Sequence, residues 1–314
     1  MRRRTLVLAI ASLAGGGTLA ACTAETDIGM TGGSTASASA TPILASTSSS
    51  SLAPQTITAA YTPPPGTAPA QTYAVDKKVF SFSRGDRTLP TTVWYPAAAG
   101  RFPLVLFSHG LTSQPGDYEA MLTRWAQAGF VVAGPTYPNT WYGAENFDAN
   151  DIVNQPQDGS RVIDLLLSSA GTVTTAIDPN RIAAAGHSAG GITTTGLFSA
   201  HRDERLKAGL VFAGTDFQGV PFTGPAAAML FVHGRKDTTV TYRAGHAVYA
   251  AVPWSRAMLS ITDGGHVTES TDFEATTRTT TEFLRYVLYG DSDAKARMAA
   301  AAAVGDVATL ESQL

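Results

Sequence analysis

A chain of 314 residues with 44% hydrophobic and 15% charged residues holds enough apolar material for a sizeable core, which excludes disorder along its full length. The formal net charge is −3 and no basic stripe runs through the sequence, which excludes nucleic acid as a natural partner. Cys22 is its one cysteine, so internal disulfides, thiolate zinc clusters and CxxC redox pairs are excluded too.

The amino terminus has a composition of its own. Arg2, Arg3 and Arg4 open it, a short glycine-broken apolar stretch follows, and Leu19, Ala20, Ala21 and Cys22 close it. A positive start, a short apolar middle and small residues form the layout of a secretory signal peptide, predicted over residues 1–21. The last four of these residues resemble the lipobox of bacterial lipoproteins. That resemblance implies cleavage before Cys22, a diacylglyceryl group on its sulfur, and a protein held on the extracytoplasmic face of the cell membrane. Two acyl chains anchor stably where one is marginal. Arg3 and Arg4 also match a twin-arginine signal, and the choice between export routes stays open. Up to residue 72 the chain is dominated by Ser, Thr, Ala, Pro and Gly, with Glu25 and Asp27 its only charges after the cysteine. Such a segment buries too little to offset its ordering entropy, so residues 22–72 are expected to be a disordered tether.

From residue 73 short β-like runs alternate with amphipathic helical ones. Residues 79–83 and 92–95 open as strands, antiparallel to each other. Residues 103–108 form a continuous apolar run, as in a strand covered on both faces. A helix is predicted over 117–128, where Tyr118, Met121, Leu122 and Trp125 share one face. Further strands are predicted at 130–133, 181–185, 206–213, 228–233 and 256–261. Helices are predicted at 157–167, 188–200, 243–251 and 272–289. This alternation is the pattern of an α/β fold with a mostly parallel sheet and helices on both faces. Right-handed crossovers put the loops after the strands on one edge. Residues 73–290 thus read as one domain. The alanine-rich residues 291–314 read as a helical tail.

Gly186, His187, Ser188, Ala189 and Gly190 fit the pattern G-x-S-x-G, between a predicted strand and a predicted helix. On so sharp a turn the serine hydroxyl projects, and the glycines avoid clashes where a Cβ would collide. A hydroxyl is a poor nucleophile until a base takes its proton. Of six histidines, His266 lies in a loop just after the last core strand, on the serine's edge. His109, His187, His201, His233 and His246 read as structural. The side chain of His187 must point away from Ser188. Asp237, just past the preceding strand, is the expected orienting carboxylate, with Asp216 as the competing acid. The order Ser188, Asp237, His266 is that of α/β-hydrolases. The oxyanion of an acyl-transfer intermediate needs preorganised N–H donors. These are expected from Ala189, after the nucleophile, and from Leu111, in the loop after His109 and Gly110.

With these motifs in order, the chain resembles the α/β-hydrolase superfamily, and within it the chlorophyllase, dienelactone-hydrolase and cutinase-like polyester hydrolase group. Residues 117–118, 154–156 and 177–182 support that likeness. Leu111 stands where polyester hydrolases place an aromatic, Ala189 where they place methionine, and Ser188 where dienelactone hydrolases carry cysteine. The resemblance implies a serine hydrolase of carboxylic esters (lipid, polymer or small molecule) working without a cofactor. Thioesterase, amidase or acyltransferase chemistry on the same acyl-enzyme stays open, as does a non-catalytic binding lipoprotein.

The short stretch 214–227 leaves no room for a lid domain. In the longer insertion 135–154, Tyr137, Trp141 and Tyr142 either line the substrate pocket or pack the loop onto the body. No metal-ligand spacing and no phosphate- or dinucleotide-binding fingerprint appears. An imidazole base must be neutral to act. The ester hydrolysis rate is therefore expected to fall as pH drops through about 6.5, the ordinary imidazole range. A kcat/KM profile that stayed flat down to about pH 4 would contradict this.

Overall fold

The computed structural model describes residues 56–314. The expected signal peptide, Cys22 and the first part of the expected tether lie outside the described residues.

Among the described residues nine strands form one sheet. In chain order the elements are β1 (Val75–Arg84), β2 (Arg87–Pro96), β3 (Phe102–Ser108), α1 (Glu119–Gln127), β4 (Val131–Pro135), α2 (Gln155–Ser168), α3 (Thr172–Thr175), β5 (Ile177–His187), α4 (Ala189–Leu197), β6 (Leu206–Phe212), β7 (Ala228–Gly234), α5 (Tyr242–Ala251), β8 (Arg256–Ile261), α6 (Phe273–Tyr289), α7 (Ser292–Ala302) and β9 (Ala308–Gln313). The strands lie in the order β1-β2-β4-β3-β5-β6-β7-β8-β9. The six from β4 to β8 are mutually parallel, while β1, β2 and β9 run antiparallel to their neighbours. This is the mostly parallel α/β arrangement that the alternation of patterns predicts.

Strand periodicity builds a core on each face. In β3, Leu104 and Leu106 join one cluster and Val105 and Phe107 the other, and all four are fully buried. The first cluster is closed by Val162 and Leu166 of α2, Leu197 of α4 and Tyr249 of α5. The second is closed by Trp125 of α1, Phe283 and Val287 of α6, and Met298 of α7. Burying each such side chain is worth roughly 1.5–3 kcal/mol.

Two expectations need correction. The predicted tail is helical only over α7. Its end forms β9, paired with β8 in antiparallel register from Arg256↔Gln313 to Ile261↔Ala308. The run 308–313 carries little apolar residue of its own, so its strand state is set by the open edge of β8. The predicted tether also ends earlier than residue 73. The Thr58 N–H donates to the Pro253 carbonyl at 2.9 Å, the Tyr61 N–H to Ser255 Oγ at 3.0 Å, and Ala68 is buried with its N–H donated to Asp291. This segment has no core of its own, and it borrows acceptors and apolar cover from the body. Among the described residues no helix is long and apolar enough to cross a membrane.

The loop between β4 and α2 is pinned by charge. Arg87 on β2 donates to Asp151 at 2.8 and 2.7 Å and to Asp158 at 3.0 and 2.6 Å. Both carboxylates are buried, and Arg84 adds a bond to Asp158 at 2.7 Å. Removing one partner of a buried ion cluster strands the other charges. Arg87→Met is therefore expected to cost about 3–5 kcal/mol in urea unfolding. Adding Asp151→Asn and Asp158→Asn should recover part of that loss.

Candidate active site

The turn from β5 into α4 places Ser188 at φ +56°, ψ −117°, a conformation that L-residues rarely adopt. Close packing enforces it. A Cβ on Gly186 would collide with the Gly190 carbonyl, and one on Gly190 with the Ser108 carbonyl. The Ser188 N–H donates to the Phe212 carbonyl at 2.9 Å, which ties the turn to the end of β6.

Strained in this way, Ser188 aims its hydroxyl at the loop after β8. Its Oγ lies 2.9 Å from His266 Nε2, and His266 Nδ1 lies 2.8 Å from Asp237 Oδ2. Ser188 is 5% exposed, the His266 side chain 19%, and the Asp237 side chain is fully buried. With the proton on Nδ1 donated to Asp237, His266 Nε2 is free to accept from Ser188. Asp237 is well supplied with donors. Its Oδ1 accepts the N–H groups of Thr239 at 2.8 Å and Val240 at 2.9 Å, and the His233 Nε2 proton is shared between the Val240 carbonyl at 2.8 Å and Oδ2 at 3.3 Å. Burial pushes this carboxyl up. The bonds from His233 and His266, the His266 charge and the Thr239 N–H outweigh burial and hold it well below the usual carboxylate range. The structure therefore brings Ser188, His266 and Asp237 into one hydrogen-bonded line. Asp216, the competing acid, instead accepts from the nearby Gly219 N–H and Thr215 hydroxyl.

Leu111 lies in the loop after β3, and Ala189 is the first residue of α4, where backbone N–H groups have no acceptor inside the helix. The Leu111 loop is braced on two sides. His109 is fully buried. Its Nδ1 bonds the Gly110 carbonyl at 2.8 Å and its Nε2 accepts the Tyr137 N–H at 3.0 Å. Burial lowers this imidazole to about 4, partly offset by the Gly110 bond, so it stays neutral as a brace. On the other side the Thr112 N–H donates to the Thr140 carbonyl at 2.7 Å.

The three aromatics of the insertion separate. Tyr137 does not line a pocket: it is fully buried, its hydroxyl bonds Ser108 Oγ at 2.8 Å, and its ring belongs to the core. Tyr142 is 61% exposed and accepts from Gln114 Nε2 at 2.9 Å. Trp141 meets it edge to face, with ring centroids 5.2 Å apart. Both lie beside the Leu111 loop. Sequence reasoning missed an apolar cavity of about 380 Å³ on the other side, between Ser113 of that loop and Val267 of the His266 loop. Met121, Phe212 and Phe273 line it; the sequence placed Met121 on an apolar helix face and singled out neither phenylalanine. Sequence reasoning also missed His187, which bonds the His266 carbonyl through Nε2 at 2.6 Å and the Tyr118 hydroxyl through Nδ1 at 2.9 Å. Asp272, beside a small void behind His266, is raised to about 6 by burial and the Glu269 charge, against the bond from the Glu269 N–H. Among the described residues no group of three or more His, Cys, Asp or Glu is placed to hold a metal ion.

A family model for chlorophyllase matches residues 58–216, just over half of the chain. The chain belongs to the chlorophyllase family. It is thereby an esterase-like α/β hydrolase, with the sheet and crossovers described above. The match to chlorophyllase takes in the Leu111 loop and the Ser188 turn and ends before Asp237 and His266, which join the site through the fold. No curated protein matches the chain.

Proposed function

We propose that this chlorophyllase-family chain is a serine hydrolase of carboxylic esters, with Ser188 as nucleophile, His266 as base and Asp237 as orienting acid. The observation that carries this reading is the continuous line from Ser188 Oγ through His266 to Asp237, at 2.9 and 2.8 Å. As Oγ attacks the ester carbonyl, its proton passes to His266 Nε2. The carboxylate of Asp237 stabilises the imidazolium that forms. The carbonyl oxygen becomes an oxyanion facing the N–H groups of Leu111 and Ala189. Each such donor is worth about 3–4 kcal/mol in sites of this kind. The amino end of α4 adds its partial positive charge. Collapse expels the alcohol, which takes the proton back from His266. Water, activated by the same imidazole, then frees the acyl group from Ser188.

Two features favour an apolar ester. The cavity beside the His266 loop is lined mainly by apolar side chains, and Val267 at its mouth is 53% exposed. Residues 213–227 are a bare loop, so this stretch builds no lid over the site. Trp141 and Tyr142, beside the Leu111 loop, are the candidates for contacting the far end of a lipid, polymer or small-molecule ester.

Cys22 is proposed as the lipid attachment point that holds the protein on the extracytoplasmic face of the cell membrane. The described part of the amino-terminal segment follows the sheet edge opposite Ser188. It touches Pro253 before β8, Asp291 after α6 and, through Tyr73, Gln127 at the end of α1.

A fluorophosphonate probe should label the wild type at Ser188, and Ser188→Ala should lower kcat by about four to six orders of magnitude. A folded wild type that takes no label and hydrolyses no p-nitrophenyl ester would overturn the reading. For the anchor, Cys22→Ala should move the protein from the membrane fraction to the soluble one. Equal partition of both forms would argue against lipidation.

A further inference from the structure

We infer that His187 and Tyr118 form a positioning strut that holds the base loop and the oxyanion loop in register with each other. The inference rests on the serine hydrolase reading above. His187 immediately precedes the nucleophile, yet its ring turns away from Ser188 and spans the two loops. Its Nε2 lies 2.6 Å from the carbonyl oxygen of His266, the backbone of the base itself. A carbonyl only accepts, so Nε2 carries the proton, and Nδ1 is left as an acceptor. The Tyr118 hydroxyl supplies the matching donor at 2.9 Å. The oxygen of the same hydroxyl receives the Gly110 N–H at 3.2 Å, and Ser113 Oγ stands 3.2 Å away. Gly110 is the residue before Leu111, so one chain of bonds runs from the expected oxyanion donor to the backbone of the base.

The parts fit closely. A Cβ on Gly110 would stand 3.2 Å from both His187 Nδ1 and Tyr118 Oη, tighter than an ordinary contact. The ring of His187 meets that of Tyr118 at 5.6 Å and that of His266 at 4.9 Å between centroids. Burial, aided by the His266 charge and opposed by the bond to its carbonyl, lowers His187 to about 4. It therefore stays neutral where His266 must work, and the proton stays on Nε2. Both side chains also line the apolar cavity, but neither bonds Ser188 Oγ or His266 Nε2, the reacting atoms. They act by fixing where Leu111 N–H and His266 Nε2 stand relative to Ser188. A displacement of about 1 Å at such a site costs up to about 100-fold in rate.

The test compares His187→Asn, whose amide nitrogen reaches only as far as Nδ1, with His187→Gln, whose amide nitrogen reaches the place of Nε2. On p-nitrophenyl butyrate, His187→Asn should lower kcat about 10- to 100-fold with KM within about threefold. His187→Gln should recover most of that loss. Tyr118→Phe should lower kcat less, and combined with His187→Asn it should add nothing further, as for two parts of one strut. Equal losses in the Gln and Asn variants, a loss confined to KM, or full additivity would overturn the inference. Histidine ring ¹⁵N spectra read the strut without turnover. The wild type should show His187 protonated on Nε2, and the His266 resonances should shift in His187→Asn but not in His187→Gln. Unmoved His266 resonances would sink the strut even if the wild type proved inactive, whereas an unlabelled, inactive wild type with shifted resonances would sink only the hydrolase reading.

Discussion

The Ser188 hydroxyl reaches His266 because the backbone between β5 and α4 is forced through a positive φ. That conformation costs of order 1–3 kcal/mol for a residue with a Cβ, and it persists only where surrounding contacts over-determine it. Here those contacts are backbone to backbone. Gly186 and Gly190 let the turn press against the carbonyls of Ser108 and of Gly190 itself, and the Ser188 N–H is held by Phe212. The strain is carried by β3, β5 and β6 together. These strands lie side by side in the sheet, so the Ser188 turn is held by the sheet that presents it.

The acid end of the line follows a different physics. A fully buried carboxylate is expensive unless its lone pairs are filled. Asp237 meets the condition with two backbone N–H groups, His233 and His266. Its depressed carboxyl contributes stability above the ordinary carboxylate range, and that contribution fades as pH falls through the lower folded value. The donors that keep Asp237 charged also fix its orientation, so the partner of His266 is held without freedom to rotate.

Much of this architecture is legible in the sequence for a reason that lies in strand geometry. The run from Pro103 to Ser108 is apolar at every position because both faces of β3 are covered, and the same holds for β7. Gly-x-Ser-x-Gly between a strand and a helix signals the elbow because few other residues tolerate the crowding. Other features were illegible because their causes are distant. The end of the chain pairs as β9 because β8 offers an open edge, and its own residues alternate too weakly to announce a strand. Tyr137 is core and Met121 lines a cavity, yet at the level of pattern each is just an apolar residue at a plausible spacing. His187 reads as a bystander because its partners are a carbonyl 79 residues away and a hydroxyl 69 residues away.

The sequence by itself determined the α/β layering, the position of Ser188 on its sharp turn, and the histidine and aspartate that the order of loops brings to the same edge. Local pattern suffices for these because apolar period and glycine crowding are local properties. Only the tertiary structure decided which aromatic packs and which faces solvent, where the apolar cavity opens, how Asp237 is saturated with donors, and that His187 with Tyr118 joins two loops. Those outcomes depend on distances between segments far apart in the chain, and such distances exist only once both faces of the sheet are packed.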